Sequence, residues 1–401
     1  MHTARWICCQ LGAREHYAVA RALHRHEALE LLVTDIWVRP KNPFRKLNPS
    51  LHARSHAGLD TANVYATNLA SMAFELRAKV SDLDSWTRII ARNQWFQKTA
   101  VAKLARIDTG HTSRTVIAYS YAALDIFKLA RARGWRTVLG QIDPGPLEDR
   151  IVAQLYEESP SYRGQLERPP ARYWADWREE CALADRIVVN SLWSQAALVD
   201  DGVPVEKIKV VPLAYEEPQA TTAFQREYPL EFSPSRPLRV LFLGLINLRK
   251  GIGPILDAVR MLRGEPVEFW FVGPQQVSIP ADLRDDPQVR WLGSVPHDDT
   301  ARFYREADIF VFPTFSDGFG LTQLEAQAWK LPIVATEYCG KVVEDGKNGW
   351  LLPEINADVI ATIVRRCRAD PVRLQEFSAN SGRAERFDLA YVGKQWLNAL
   401  A

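Results

Sequence analysis

The chain has 401 residues, 47% hydrophobic and 24% charged, which are ordinary globular proportions and exclude a disordered or fibrous protein. Its length exceeds the roughly 250–300 residues at which single cores stop growing, so two domains are expected. The net charge of +2 hides an asymmetry: residues 1–150 carry 22 Lys and Arg against 13 Asp and Glu, and the remainder carries 28 against 35. A basic first half should face something anionic.

No run approaches the ~18 apolar residues of a transmembrane helix, and the opening MHTARWICCQLGAREHY turns polar early for a signal peptide. A cytoplasmic location is therefore expected. Cys8, Cys9, Cys181, Cys339 and Cys367 show no C-x-x-C spacing, which argues against both a disulfide framework and a zinc site.

The first β-rich run is RWICCQLG (5–12), followed by a helical pattern, EHYAVARALHRH (15–26), that carries His16 towards either a cleft or solvent. LELLVTDIW (29–37) is the second strand. After it, RPKNPFRKLNPSLHAR (39–54) interleaves five Lys and Arg with prolines and apolar residues. Prolines make this a loop, suited either to peripheral contact with an anionic membrane or to plain solvation. RTVIAYS (114–120), RTVLGQID (136–143) and DRIVVNS (185–191) complete the strands read in the first half.

Residues 213–237 lack periodicity and contain four prolines. The strand pattern then resumes with LRVLFLG (238–244), VEFWFVG (267–273), VRWLG (289–293), DIFVFPT (308–314) and LPIVATE (331–337), with a helix over 253–264. Strands alternating with helices predict two parallel, Rossmann-like α/β domains, 1–212 and 238–380, joined by a linker at 213–237. The tail, 381–401, reads as a closing helix packing back on the first domain, with Asp388 as its N-cap. Ligands bind at the carboxyl ends of such sheets, so two facing sheets define an interdomain cleft.

Two loops at that end carry chemistry. Arg249 and Lys250 follow the strand ending at Gly244, and adjacent cations on a Gly-bearing loop suit a diphosphate. SDGFGLTQLEAQAWK (316–330) places Asp317, Gly318, Phe319 and Gly320 before a helix starting near Leu321 and Thr322, whose free N–H groups form an anion site. Glu325, eight positions after Asp317, lies about one turn inside that helix. A carboxylate needs a polyhydroxylated partner or a cation rather than a phosphate. A sugar joined through a diphosphate to a nucleoside satisfies the whole set: cations and helix amides for the diphosphate, Glu325 for the ribose, Asp317 for the sugar. The alternative is that Asp317 caps the helix and Glu325 is an exposed helical residue.

The stretch FVFPTFSDGFGLTQLEAQAWKLPIVATEYCGKVVEDGKNGWLLP (310–353) resembles the donor-binding block of family-four glycosyltransferases, retaining enzymes of the GT-B fold. FLGLINLRKGIGPIL (242–256), FVGP (271–274) and WLGSVPHDDTARFYREADIFVFPT (291–314) are similar too, in the expected order, and 179–216 resembles the end of the acceptor domain. The resemblance implies that Glu325 binds ribose, that Lys250 with Arg249 binds diphosphate, and that Val295 and Pro296 pack the nucleobase. It implies that Gly12 belongs to a glycine loop closing on the donor phosphates. Asp317 matches an acidic residue that is usually Glu and meets the donor sugar. Where many relatives place a catalytic His, this chain reads Gln141-Ile142-Asp143, so Asp143 is either a catalytic group or the start of the turn before Pro144.

The resemblance also implies transfer of a sugar from a nucleotide-diphosphate sugar to an acceptor hydroxyl with retention, in glycan, polysaccharide or glycolipid biosynthesis. The acceptor would be a glycan, a lipid-linked molecule or a small molecule. With no D-x-D motif in the cleft loops, neither a metal nor another cofactor is expected, and no nucleic-acid partner. A GT-B epimerase or phosphorylase, and a non-catalytic nucleotide-sugar-binding module, share the architecture and remain rival readings.

Overall fold

The computed structural model describes residues 5–39, 51, 53–80, 84–108, 113–162, 166–382 and 384–400. In the first half β1 (Arg5–Gln10), β2 (Leu29–Thr34), β3 (Val64–Ala66), β4 (Arg114–Tyr119), β5 (Arg136–Gly140), β6 (Arg186–Val189) and β7 (Ile208–Val210) form a seven-stranded sheet in the order β3-β2-β1-β4-β5-β6-β7. In the second half β8 (Leu238–Leu243), β9 (Val267–Val272), β10 (Val289–Gly293), β11 (Ile309–Phe312), β12 (Ile333–Ala335) and β13 (Gly349–Leu351) form a six-stranded sheet in the order β10-β9-β8-β11-β12-β13.

All pairings between these strands are parallel; Cys9, for example, faces Val33 on one side and Ala118 on the other. Helices on both faces explain why β4 and β9 are buried at every position rather than at alternate ones. The ten expected strands are all present. β3, β7 and β13 are additional: each has three residues and sits at a sheet edge, too short to display a period.

The strand order reverses between β1 and β4 in one sheet and between β8 and β11 in the other. A crevice opens at such a reversal, outside the carboxyl ends of the strands. The loops following β1, β8 and β11 line the space between the sheets, together with Ile142 after β5 and Asn190 after β6.

The helix Pro146–Glu158 ties the halves together. It follows β5, yet Leu155 and the nearby Tyr162 are buried in a cluster with Leu238, Ile252 and Ile255 of the second half. Arg226, in the segment between the sheets, is buried and donates to the carbonyls of Tyr304, Ala307 and Trp329. The helix Leu389–Leu397, with Asp388 at the N-cap position, packs on Ala18–Arg25 of the first half. A Cβ at Gly393 would come within 2.7 Å of the Ala22 Cβ, so glycine permits this approach, while Val392 and Trp396 join Trp6, Val19 and Leu23 in one apolar cluster.

The helix expected over 15–26 begins only at Ala18. Before it, Glu15, His16 and Tyr17 take left-handed backbone angles, with φ of 51°, 48° and 61°. Three consecutive non-glycine residues in this region are costly and persist only where surroundings hold them. Here Gln10 Nε2 donates to the Arg14 carbonyl at 2.8 Å and Tyr17 is buried against Trp37.

Candidate active site

A cavity of about 430 Å³ lies between the sheets. From the second half Gly244, Arg249, Lys250, Asp317, Phe319, Gly320, Leu321 and Thr322 line it; from the first, Arg14, Glu15, Ile142 and Asn190. A second cavity of about 260 Å³ contains Glu325, with His16, Arg21, His56, Tyr215, Glu216 and His297. Glu15 and Leu321 border both cavities, so the two adjoin.

Arg249 and Lys250 sit in a short turn whose Lys250 N–H is accepted by the Asn247 side chain at 3.1 Å. Lys250 Nζ pairs with Asp317 Oδ2 and lies 4.8 Å from the centroid of the Phe312 ring. Burial, and then the neighbouring Arg249 guanidinium, push the Lys250 ammonium down to about 7, while the Glu148 carboxylate favours its charged form.

Glu148 of the helix Pro146–Glu158 accepts from Arg249 Nη1 at 3.3 Å and from the Ser316 hydroxyl at 2.8 Å. Arg249 Nη1 also donates to the Ser316 carbonyl at 2.8 Å, and Trp193 Nε1 to the Ser316 hydroxyl at 3.1 Å. Burial raises the Glu148 carboxyl, and Arg249 opposes the rise. Glu148 and Ser316 thus bridge the two walls, although neither stands out in the sequence. Glu148 lies far along the chain from the loop it braces, whereas Ser316 directly precedes Asp317 and that adjacency is its only signal.

Gly320 caps the helix Leu321–Ala328 with φ of 82°, and a Cβ there would meet the Phe312 ring at 2.6 Å. Gly318 has a different reason to be glycine: its Cβ would lie 2.3 Å from the Ile142 carbonyl oxygen of the first half. Its smallness serves contact between the walls, not approach to an anion. Phe319 is almost wholly buried against Phe387 and anchors the loop, and Gly244, with φ of 147°, lines the cavity. The first-turn N–H groups of Leu321 and Thr322 have no partner within the helix, by its geometry, and both residues line the cavity with Lys250. Glu325 accepts from the Tyr304 hydroxyl at 2.7 Å through Oε2.

Five expected site residues line neither cavity: Gly318, whose contact with Ile142 is described above, and Gly12, Val295, Pro296 and Asp143. The Gly12 N–H, the group a phosphate would need, donates to Asp35 Oδ1 at 2.9 Å, and Arg54 and Arg92 bind the same buried carboxylate. Arg14 and Glu15, two and three residues later, border the cavity instead. Val295 is half-buried against the second core and Pro296 is exposed; the neighbouring His297 enters the Glu325 cavity and lies 6.0 Å, ring to ring, from His16. Asp143 begins the turn before Pro144, its Oδ1 accepting from the Gly145 N–H at 2.9 Å and the Tyr121 hydroxyl at 2.5 Å.

All five cysteines are buried and unpaired. Among the described residues no group of three His, Cys, Asp or Glu side chains is arranged to hold a metal ion, and no helix is long and apolar enough to cross a membrane.

Residues 237–370 match the family model described as glycosyl transferases group 1. The second domain belongs to the group 1 glycosyltransferases. The amylovoran biosynthesis glycosyltransferase AmsK of Erwinia amylovora is 30% identical over 193 residues, covering 44% of this chain and 46% of the relative. The chain spans about half the length of the curated relatives it matches.

Solved structures resemble the whole chain. Anabaena Alr3699/HepE in complex with UDP-glucose superposes with a TM-score of 0.62 at 16% identity, covering 99% of each chain. Sucrose-phosphate synthase from Thermosynechococcus elongatus gives 0.66 at 17% identity, covering 98% and 97%. The fold is GT-B, with the group 1 glycosyltransferase domain forming the wall that carries Arg249, Lys250, Asp317 and Glu325.

Proposed function

We propose that the chain transfers a sugar from a nucleotide-diphosphate sugar to an acceptor hydroxyl, with retention of configuration, in glycan or polysaccharide assembly. The observation that carries this reading is the convergence of Arg249, Lys250, Asp317 and the start of Leu321–Ala328 on one cavity, with Glu325 in the cavity beside it. The amylovoran relative supports a polysaccharide product, and the UDP-glucose complex of HepE makes a uridine nucleotide the first donor to test.

In this mechanism the diphosphate takes Lys250 from Asp317, offering it more negative charge than one carboxylate does. Asp317 is then released to accept a donor-sugar hydroxyl, and Glu325 takes the ribose hydroxyls. The acceptor oxygen attacks the anomeric carbon on the face the nucleotide leaves. As the new C–O bond forms, the bond to phosphate breaks and the leaving phosphate oxygen takes the acceptor proton. Lys250, Arg249 and the helix N–H groups stabilise the charge growing on that oxygen, which is the largest contribution such groups make. These positive groups meet the diphosphate without a bridging ion, so transfer should survive EDTA.

A membrane contact of the first domain belongs to the same reading. The stretch 39–54 proposed for it lies largely outside the described residues. The helix Asn68–Val80 turns Leu69, Met72 and Leu76 to solvent on one face, at 84%, 59% and 66% exposure, and Asn68 bonds both backbone groups of Trp37. An exposed apolar stripe in the same domain as a cationic sequence segment suits a bilayer with anionic headgroups.

The deciding experiment measures stabilisation by UDP and UDP-sugars, then transfer to acceptors. A UDP-dependent rise in Tm with sugar transfer is the expected result. An altered free sugar formed without acceptor would replace transfer by epimerisation, and binding without turnover would leave a binding module. Co-sedimentation with phosphatidylglycerol vesicles, lost in Leu69→Ser/Leu76→Ser, tests the membrane contact.

A further inference from the structure

The carboxyl ends of β4 and β5, and the amino ends of the helices Ser85–Leu104 and Ala171–Leu183, meet on the first-domain wall. Their aromatic residues form a ladder. Tyr121 stacks on Tyr173 with ring centroids 4.7 Å apart, Trp86 meets Tyr173 edge-on at 5.1 Å, and Trp174 stands against both tyrosines. All four rings are half-buried rather than sealed in the core.

The ladder is held in place at some cost. Tyr121 has φ of 73°, a strained backbone for a non-glycine residue. The buried Glu180 carboxylate fixes it by accepting from the N–H groups of Tyr121, Ala123 and Leu124, at 2.7, 2.8 and 3.1 Å. Tyr121 keeps this strained backbone while remaining half-buried at the margin of the first-domain core.

Asp143 lies at the foot of the ladder. The Tyr121 hydroxyl, the Gly145 N–H and Gln141 Nε2 all donate to its Oδ1, and Oδ2 accepts from no described residue. Trp177 holds Gln141 from behind at 3.0 Å. Ile142, the residue before Asp143, borders the donor cavity. Arg14, also on that cavity, sits 5.9 Å from the Tyr119 ring at the end of β4 and makes no ion pair among the described residues.

We propose that Trp86, Tyr121 and Tyr173, with Asp143 Oδ2 beside them, form the acceptor subsite, and that it takes a pyranose ring of a carbohydrate acceptor. This rests on the transfer reading above and names the acceptor class. The apolar face of a pyranose packs against aromatic rings, while its hydroxyls need a few placed acceptors. Asp143 Oδ2 supplies one, and the subsite adjoins the cavity where the donor sugar would lie. Glu180 acts as a positioning residue through Tyr121.

Saturation-transfer NMR on the full chain, with and without saturating UDP, tests this directly. The probes are the methyl pyranosides of glucose, galactose and glucuronic acid, with glycerol as an open-chain control. At least one pyranoside should receive saturation well above glycerol. Trp86→Ala and Asp143→Asn should each reduce it at least fivefold while keeping the thermal shift produced by UDP. Asn at 143 retains an Oδ1 for its three donors and removes only the second acceptor oxygen, so it separates the subsite from the fold. Trp86→Phe should keep most of the signal. No pyranoside signal above glycerol, or full signal in Trp86→Ala, overturns the proposal. Absence of any UDP-induced shift in the wild type overturns the donor reading instead, and the pyranoside signal without UDP still decides the acceptor subsite.

Discussion

The two walls of the cleft are built on different principles. The group 1 glycosyltransferase wall gathers its groups from short local patterns: two adjacent cations after β8, and a glycine loop opening a helix after β11. The opposite wall assembles Arg14, Glu15, Ile142, Asn190 and Glu148 from loops and helices more than a hundred residues apart, and uses strained backbone to do it. The glycosyltransferase wall carries the positive charge that the proposed reading gives to a diphosphate, whereas the first-domain wall carries rings, carboxylates and the braces that hold the walls together.

The sharpest way to break this division is to remove charge from the glycosyltransferase wall. Lys250→Met should lower kcat by about 10²–10³-fold, the usual loss when a preorganised positive group at a leaving oxygen is removed. It should leave the fold intact, and a near-normal kcat would shift the diphosphate to other groups. Lys250 also carries a pH signature, since its pKa of about 7 compares with about 10.4 for an ordinary lysine. Between those values the unfolded chain holds a proton that the folded chain has released, so folding stability should rise with pH across that window. UDP affinity should fall over the same window, as the charged ammonium disappears. Titrating Tm and UDP affinity from pH 6 to 10 checks both slopes, and both should flatten in Lys250→Met.

Glu148→Gln probes the braces between the walls. The substitution keeps an acceptor for Ser316 but removes the charge facing Arg249. Arg249 then turns more fully to the diphosphate, so UDP should bind a few-fold tighter while kcat falls about tenfold, or ~1.4 kcal/mol, because the walls lose their alignment. Equal changes in binding and turnover would assign Glu148 to the donor site rather than to the joint. Gly318→Ala is the steric counterpart. Its new methyl would meet the Ile142 carbonyl oxygen at 2.3 Å, and relieving that overlap should cost about 1–3 kcal/mol. Lys250 and the helix start are untouched, so UDP binding should survive as transfer falls.

This contrast also explains what the sequence revealed. Strands buried on both faces read as continuous apolar runs, and a helix opening on glycines reads as an anion site, so the second domain and Arg249, Lys250, Asp317 and Glu325 were visible in one dimension. The edge strands β3, β7 and β13 were not, because three residues show no period. Gly12 entered through the resemblance alone, and nothing local in the sequence says that Asp35 will take its N–H. Gly318 was identified as special, and its reason lay 176 positions away in Ile142. Glu148, a plain first-turn helical glutamate in sequence, became the link between the walls only once the sheets faced each other.

The smallest expected effect concerns the turn before Ala18. If the first wall stores strain in Glu15, His16 and Tyr17, relieving it at one exposed position should stabilise the protein slightly. His16 is the position to choose, because Glu15 and Tyr17 are more buried. His16→Gly removes roughly 1 kcal/mol of left-handed strain, and part of that gain is offset because glycine loses more entropy on folding. A rise in Tm of no more than about 2 °C follows. Gly also deletes the imidazole facing His297; burial, and then the proximity of His297, lower the His16 pKa. A fall in Tm would mean that this ring contact, rather than the anchored backbone on either side, holds the turn. His16→Asn separates the two effects, since Asn tolerates the left-handed region and carries no imidazole. Stability at or above wild type in both variants would locate the strain in the backbone of the first-domain wall and leave the glycosyltransferase wall opposite unaffected.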